Sequence, residues 1–290
     1  MYKLYKKDNY TVMHFRFDSI TEYITFLKSN PIRSDVFPNP DSIESPYSFT
    51  QTHSLEEAMN LCQFGYHKDF DKFTELKMKL EKYVKMSSKK NKQYNDYIGY
   101  VPDVKAYLEG NPLSMLNKST HQRKKIDIYM NTGYSSETPL SAIFNREAIV
   151  LNLVEILENL GYSVDFHLFI MAENSQQIHL SEYILKKETE RVNPQKLYFP
   201  LCHPSWSRRL YFRLVEATKD VDTCWAIGYG YPCKAITIKK ILETKPNDII
   251  IPTIEELNMH GIDIIDDANN LFDYVNQSSD KEFILQRIKK

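Results

Sequence analysis

Glycine and cysteine are scarce in this sequence, with 8 glycines and 4 cysteines among 290 residues. Few glycines leave few loops that can cradle a phosphate, and neither a G-x-G-x-x-G string nor a P-loop string occurs, so we expect no cofactor. The cysteines, which show no C-x-x-C spacing, are Cys62, Cys202, Cys224 and Cys233. This spacing favours reduced thiols over a disulfide framework or a structural zinc site.

Long hydrophobic runs and an excess of one charge are also missing. No stretch of about 18 apolar residues occurs, so we expect no membrane-spanning segment. The first ten residues are polar and lysine-rich and lack the apolar core of a secretory signal. Lys plus Arg number 37 and Asp plus Glu 38, giving a net charge of -1. These features predict a cytoplasmic protein without the overall basic charge that is typical of nucleic-acid binding.

Residues 1–120 carry mainly helix and loop signals, which predict a mainly helical N-terminal subdomain. The strings Ser19-x-x-Glu22 and Ser54-x-x-Glu57 each match a capping box at the start of an amphipathic helix. The spacing of apolar residues predicts a third helix over 70–84. A lysine- and asparagine-rich stretch over 86–95 then predicts a surface loop.

Residues 121–290 alternate between strand and helix patterns, which predicts an α/β sandwich domain. Right-handed crossovers would give a mostly parallel sheet with helices on both faces, as in Rossmann-like folds. The patterns predict strands over 125–130, 164–171, 197–201, 248–252 and 262–265. They predict helices over 145–160, 177–191, 209–217 and 268–275 and a helix that begins at Thr253.

Four strings in order along the chain resemble an uncharacterised protein family of tailed bacteriophages. They are Ser54-x-x-Glu57-Ala58 with Gly65-Tyr66, Gly99-Tyr-Val-Pro-Asp-Val104, Tyr107-Leu-x-Gly110-x-Pro112-x-x-Met115, and Arg146 opening a helix that ends Leu157-Glu-x-x-Gly161-Tyr. The resemblance implies a phage or prophage product that acts in the cytoplasm of a bacterial host. It implies no reaction.

The loop after the strand over 125–130 is the first candidate site, because open parallel sheets bind ligands at the carboxyl ends of their strands. Its polar residues include Asn131, Ser135, Ser136 and Glu137. The position resembles the D-x-S-x-S magnesium loop of von Willebrand A (vWA) domains, with Asn131 in place of the aspartate and Gly133 in place of the first serine. Since hard cations prefer anionic oxygen, we expect a degenerate loop that binds no metal and contacts a partner or forms turns.

Three arginines and a tryptophan complete the predicted binding residues. Arg146, near the start of a helix, could bind an anion there or form a buried salt bridge that ties the loop down. Trp206, Arg208 and Arg209 could form a contact surface, since Trp and Arg carry much of the energy of protein interfaces. The alternative is a core tryptophan flanked by solvated arginines. Cys202 and His203 are adjacent, so their side chains diverge and cannot form a nucleophile–base pair with each other.

No complete catalytic set emerges, so the sequence favours a non-enzymatic phage accessory protein that binds a host or phage macromolecule. A sharper hypothesis is an antagonist of a host anti-phage defence complex. One alternative is a metal-dependent phosphoesterase or nuclease that uses Asp263, Asp266 and Asp267. Another is a single-stranded nucleic-acid-binding protein, because the chain has 20 tyrosines and a lysine-rich loop. Homo-oligomer formation is left open.

Overall fold

A β-hairpin begins the structure, which is a computed structural model. The described residues are 2–68, 70–71, 74–75, 78, 84–85, 93–99, 101–118, 125–135, 137–159, 162–173, 176–190, 192–218, 241–242, 244–245, 248–251, 253–255 and 286–287. Strand β1 (Tyr2–Lys7) pairs antiparallel with β2 (Tyr10–Phe17). Asp8, at the turn, has a φ of 52°, a left-handed conformation that Asp tolerates better than most residues. The sequence analysis did not predict this hairpin.

Both capping boxes are confirmed. Helix α1 (Ile20–Ser29) begins where the Ser19 hydroxyl accepts a hydrogen bond from the Glu22 amide, and the Glu22 carboxylate accepts one from the amide of Asp18. Two short helices follow, α2 (Asp41–Glu44) and α3 (Tyr47–Thr50). Helix α4 (Leu55–Phe64) is capped by the Ser54 hydroxyl and ends at Gly65.

A small three-stranded sheet occupies the next described part of the chain. After the two-residue strand β3 (Val84–Lys85), its elements are β4 (Gln93–Asp96), β5 (Val101–Pro102), helix α5 (Val104–Leu108) and β6 (Met115–Lys118). Strand β6 lies in the middle and pairs antiparallel with both β4 and β5. Most of the helix predicted over 70–84 and of the loop predicted over 86–95 lies outside the described residues.

The α/β part begins with β7 (Lys125–Asn131), α6 (Leu140–Asn159) and β8 (Ser163–Glu173), which confirms these three predicted elements. The next two predictions are wrong. Residues 177–191, predicted as a helix, contain strand β9 (Gln177–Lys186), and residues 197–201, predicted as a strand, lie in helix α7 (Pro194–Cys202). The polar residues of β9 form a sequence pattern that is typical of a solvent-exposed helix face. In the fold, however, their side chains form hydrogen bonds and ion pairs within the protein.

Helix α7 ends before the extended His203, after which the chain forms a π-helical segment (Trp206–Tyr211) and α8 (Phe212–Ala217), close to the predicted 209–217. Strand β10 (Ile249–Ile251) confirms the strand predicted there, and β11 (Gln286–Arg287) pairs with β3. The strand over 262–265 and the helix over 268–275 lie outside the described residues.

The main sheet is mixed and has the strand order β1-β2-β9-β8-β7-β10. Strands β2 and β9, β7 and β8, and β7 and β10 pair in parallel, whereas β1–β2 and β8–β9 are antiparallel. This is a general α/β fold. Strands from both sides of residue 120 share this sheet, and the subdomain boundary at that position stays a prediction.

The two faces of the sheet differ in what covers them, because successive side chains of a strand point to opposite faces. Residues such as Phe15, Ile128 and Phe166 form one large core cluster with α1, α4, α6, α7, the π-helical segment and α8. The other face holds a smaller apolar cluster around Phe169 and Leu180 and a set of polar side chains. None of the described helices is long and apolar enough to cross a membrane.

Candidate functional site

The loop after β7 is tied to the chain that follows β10. The amide of Ser135 and the hydroxyl of Thr138 both donate to Oε1 of Glu255 over 2.9 Å. Asn131 is buried, and its Oδ1 accepts from the amide of Gly133 at 2.8 Å. Glu137, by contrast, is exposed, and Ser136 lies outside the described residues. Most of the described polar groups of this loop therefore form hydrogen bonds that hold its own conformation.

Arg146 lies one and a half turns inside α6, because this helix begins at Leu140. It is fully buried, 2.8 Å from Oε1 of Glu147, and it donates to the carbonyl oxygen of Asn131 at 2.9 Å. Burial raises the pKa of Glu147 to about 7, although the Arg146 charge opposes the shift. The geometry is that of the buried salt bridge weighed as the alternative, which holds the loop against the helix.

Trp206 lies in an aromatic core. Its ring is 1% exposed, makes edge contacts with Tyr23 and Tyr183, and donates from Nε1 to the hydroxyl of Thr132 at 3.2 Å. A partner could reach this indole only after the core had opened. Trp206 therefore has no exposed surface through which it could make the predicted contact.

The two arginines of the same segment also face inward. Arg208 donates to the carbonyl oxygens of Phe49 and Ser135, and its guanidinium lies 4.4 Å from the centre of the Phe49 ring. Arg209 is 1% exposed and donates to oxygen atoms along residues 42–52. Burial lowers the pKa of both guanidinium groups. These side chains join helices, which argues against a surface contact role.

Cys202 and His203 do not make a nucleophilic pair either. Burial raises the pKa of the Cys202 thiol, which keeps it protonated. Burial also lowers the pKa of His203 to about 3, and its Nδ1 accepts a hydrogen bond from the Ser205 amide at 3.2 Å. A protonated thiol is a weak nucleophile.

A polar cluster that the sequence analysis missed lies on the face of the sheet opposite the large core. Its centre is Glu182 of β9, which accepts hydrogen bonds over 2.9 Å from Nε2 of His14 and from Nδ1 of His167. Nη1 of Arg16 lies 3.6 Å from Oε1 of Glu182. Burial alone would raise the pKa of Glu182, but the two histidine hydrogen bonds outweigh it and hold the pKa well below its usual range.

The cluster continues onto β7 and β8. One potential ligand atom from each of Asp127, Asp165 and His167 lies within 4.8 Å of the others. Lys125 Nζ is 2.8 Å from Oδ2 of Asp165, and the Tyr129 ring stacks on His167 with 4.7 Å between centroids. Of the described residues, these could hold a metal ion. A sequence signal existed, since the polar residues alternate with the apolar ones that identified the two strands.

A second feature is a group of exposed apolar residues, here called the 97–108 surface, which lies in the turn after β4, in β5 and in α5. Four of its members are Tyr97 at 71%, Val104 at 64%, Tyr107 at 70% and Leu108 at 78% exposed. Ile98 and Val101 are exposed beside them. Among the described residues of this stretch, six large apolar side chains thus face solvent.

The model of one protein family, described as Domain of unknown function (DUF7192), matches residues 5–273. The chain belongs to this family. No curated protein and no solved structure matches the chain. The family match runs from β1 past β10, so it includes the main sheet, the polar cluster and the 97–108 surface. Its description assigns no activity.

Proposed function

We propose that this chain is a non-enzymatic binding protein and that it binds a protein partner through the 97–108 surface. The observation that carries the proposal is the concentration of exposed apolar side chains in this surface. Single exposed apolar residues are ordinary, but a contiguous group of them marks an interaction site on many soluble proteins. Burial of Tyr107 and Leu108 against a partner would remove a large apolar area from water.

The charges of this region favour a protein over a nucleic acid. Residues 93–118 contain three carboxylates, Asp96, Asp103 and Glu109, and two lysines, Lys105 and Lys118. A phosphate backbone would be repelled by this balance, because its binding depends on clustered cations. Aromatic and aliphatic side chains with few charges are instead what the centre of a protein interface contains.

The backbone beneath the surface is held in place by hydrogen bonds. Asp103 caps α5 by accepting from the amide of Ala106, and its other oxygen accepts from the side-chain amide of Asn95 at 3.1 Å. The amide of Asp103 donates to the carbonyl of Ser114 at 2.8 Å. A surface that is ordered before binding loses less conformational entropy on association, so fewer contacts are needed for a given affinity.

The experiment is affinity capture with the tagged full-length chain, with and without nuclease, followed by mass spectrometry. The test variant is Tyr107→Ser with Leu108→Ser. The matched control is Phe64→Ser, which removes a side chain that is 76% exposed at the end of α4, outside this surface. We expect a stoichiometric protein that survives nuclease, is lost with the double variant and is retained by the control.

Three outcomes would overturn the proposal. The first is a partner that binds the double variant and the unmodified chain equally. The second is a set of partners that all vanish with nuclease, which would favour the nucleic-acid alternative. The third is self-association of the unmodified chain that the double variant abolishes, since the surface would then be covered by a second copy. Because the substituted side chains face solvent, thermal unfolding should be unchanged and exclude misfolding as the cause.

A phage origin and action against a host anti-phage defence complex form the finer proposal. Its support is the ordered resemblance of four sequence strings to a family of tailed bacteriophages. Infection of defended and undefended bacteria with a phage lacking the gene tests it. We expect fewer plaques on the defended host alone, and equal plaque counts on both hosts would reject the proposal.

A vWA-like arrangement of the α/β half is also a proposal. It is supported by the succession β7-α6-β8-β9, by β10 lying beside β7, and by the loop from Asn131 to Thr138 that meets Glu255. Within the described chain, Oε2 of Glu255 and Nδ2 of Asn131 are buried without a hydrogen-bond partner. An experimental structure would test the resemblance by comparing strand order and this loop with those of vWA domains.

A further inference from the structure

We propose that Asp127, Asp165 and His167 bind one divalent transition-metal ion, such as Mn²⁺ or Zn²⁺, on the polar face of the main sheet. This site is separate from the 97–108 surface, and the inference does not depend on the proposed function. The three residues come from two neighbouring strands, β7 and β8, rather than from one loop. Ligands on paired strands are held in a more fixed geometry than ligands on a loop.

The register of the two strands places the carboxylates of Asp127 and Asp165 opposite each other. Strands β7 and β8 pair in parallel with Asp127 opposite Asp165 and Tyr129 opposite His167. Like charges directly opposite on one sheet face repel each other. A divalent cation between the carboxylates would turn this repulsion into attraction.

His167 supplies the observation that distinguishes this cluster from an ordinary acidic patch. Its side chain is 5% exposed, and its Nδ1 is hydrogen-bonded to Glu182. In the described part of the chain, Nε2 of His167 and Oδ1 of Asp127 are buried and have no hydrogen-bond partner. A buried polar atom without a partner is costly. A metal ion bound to both atoms would satisfy each of them.

Glu182 prepares His167 for this role. Histidines that ligate metals commonly donate their second ring N–H to a carboxylate, which fixes the tautomer and makes the ligating nitrogen more basic. The hydrogen bond from Nδ1 of His167 to Glu182 has that arrangement, and it leaves Nε2 as the lone-pair nitrogen. Glu182 is thus a positioning residue rather than a ligand.

A metal ion must compete with two lysines, because the exposed Lys245 lies 3.5 Å from Oδ2 of Asp127 and Lys125 contacts both carboxylates. The ammonium of Lys125 lies 2.8 Å from Oδ2 of Asp165 and 3.9 Å from Oδ1 of Asp127. The Lys125 side chain is 46% exposed and also lies 3.5 Å from Glu188. Because the lysine end of the Lys125–Asp165 pair is about half exposed, the ammonium can move into solvent while the ion takes its place.

The ligand set selects the class of ion. Two carboxylates and one imidazole suit Mn²⁺ and Zn²⁺, whereas Mg²⁺ is usually bound by oxygen ligands alone. Three protein ligands would leave at least one position for water or for a substrate oxygen, as in open metal sites. We therefore expect Mn²⁺ and Zn²⁺ to bind more tightly than Mg²⁺.

The test is a Mn²⁺ titration of the full-length chain, followed by electron paramagnetic resonance, in which free aqueous Mn²⁺ is counted. We expect one bound equivalent per chain in the unmodified protein and at least tenfold weaker binding in Asp127→Asn and in His167→Gln. The matched control is Glu173→Gln, which removes an exposed carboxylate at the end of β8, outside the cluster, and should leave the affinity within about twofold.

Thermal unfolding keeps the test informative if a variant is unstable. Without metal, Asp127→Asn should unfold at nearly the same temperature as the unmodified chain, because the relieved repulsion from Asp165 offsets the lost attraction of Lys125 and Lys245. It should also lose the rise in melting temperature that Mn²⁺ gives the unmodified chain. Equal Mn²⁺ affinity in all four proteins, or equal weakening in Glu173→Gln and Asp127→Asn, would overturn the proposal. Binding that is abolished only by thiol alkylation would also overturn it.

Discussion

Nε of Arg209 lies 2.7 Å from the hydroxyl oxygen of Thr52, which is 157 residues away in sequence. The same guanidinium donates to the carbonyl oxygens of Ser42, Ile43, Ser45 and Thr52. One buried side chain thus holds the irregular segment with α2 and α3 against the π-helical segment. This cross-link explains why two helices of four residues persist, since helices so short are unstable alone.

Replacement of Arg209 by Met should therefore destabilise the fold severely. The Met side chain fills similar space but donates no hydrogen bond, and each buried carbonyl left unpaired costs roughly 1–3 kcal/mol. We expect the free energy of unfolding to fall by about 3–5 kcal/mol in urea denaturation, on the scale of breaking a buried charged network. The control Arg16→Met removes a half-exposed arginine and should cost less than about 1 kcal/mol. Equal losses in the two variants would contradict the cross-link.

The sequence predicted the elements that carry local signals. Capping boxes fix the starts of α1 and α4, and the period-two apolar pattern fixes β7 and β8, because these signals lie within a few residues of the element. Some signals were present and not used. Asn193 followed by Pro194 is a typical helix start, and the Asn193 side chain accepts from the Lys196 amide at the start of α7.

Strand β9 could not be recognised because its polar residues find their partners far away in sequence. Glu182 is bonded to His14, 168 residues distant, and Lys186 Nζ lies 2.5 Å from Glu158. Seen locally, such residues indicate a solvated helix face. For the same reason the polar cluster is not evident in the sequence, because Asp127 and Asp165 come together only when β7 and β8 pair. For Arg146 and Trp206 the sequence left a contact surface open beside a buried salt bridge and a core tryptophan, because Arg and Trp occur both in interfaces and in cores.

Acid should destabilise this protein through His179. Burial lowers the pKa of His179 to about 3, whereas the unfolded chain titrates near 6.5. The unfolded state therefore binds more protons between these two values, and stability is lost as the pH falls from about 6.5 toward 3. The slope from this group approaches about 1.4 kcal/mol per pH unit.

The variant His179→Phe keeps a ring against Phe15, on which His179 stacks, and removes the titration. Urea denaturation at a series of pH values should show a shallower acid dependence for this variant. The control His53→Phe changes an exposed ring and should leave the dependence as it was. If both variants follow the unmodified chain, another group causes the acid sensitivity.

Glu147 should have the opposite effect on the pH dependence. Its folded pKa of about 7 is higher than the unfolded value near 4.5, so the folded state binds more protons in between. The stability contributed by Glu147 is therefore lost as the pH rises from about 4.5 through 7. In Glu147→Gln this fall should disappear, although above about pH 7 the buried Arg146 loses its counter-charge.

The decisive quantity is the difference in unfolding free energy between the unmodified chain and Glu147→Gln, measured across pH 4.5–8. We expect this difference, unmodified minus variant, to decrease as the pH rises. Glu155→Gln changes another carboxyl group of α6 and is the matched control, whose difference should be flat. A flat difference for Glu147→Gln would show that Arg146 keeps the carboxylate ionised in the fold.

The 97–108 surface should depend on Gly99 because no side chain fits there. A Cβ at this position would lie 2.2 Å from the carbonyl oxygen of Leu116 and 2.8 Å from its carbon, both backbone atoms of β6. In Gly99→Ala, β5 and β6 must therefore separate, and the surface built on them changes shape. Gly110 provides a contrast, because its φ is +75° but no atom lies within 4 Å of an added Cβ.

Gly110→Ala should cost about 1–2 kcal/mol of local strain and keep the strand pairing. We expect Gly99→Ala to lose partner capture and amide-exchange protection over 93–118, while the exchange of the main sheet stays unchanged. Gly110→Ala should retain both capture and protection. If Gly99→Ala exchanges like the unmodified chain over 93–118 and still captures the partner, the backbone of β6 does not constrain this surface. If it loses protection yet still captures the partner, the binding surface lies elsewhere, because an interface that depends on shape cannot survive displacement of the strands that present it.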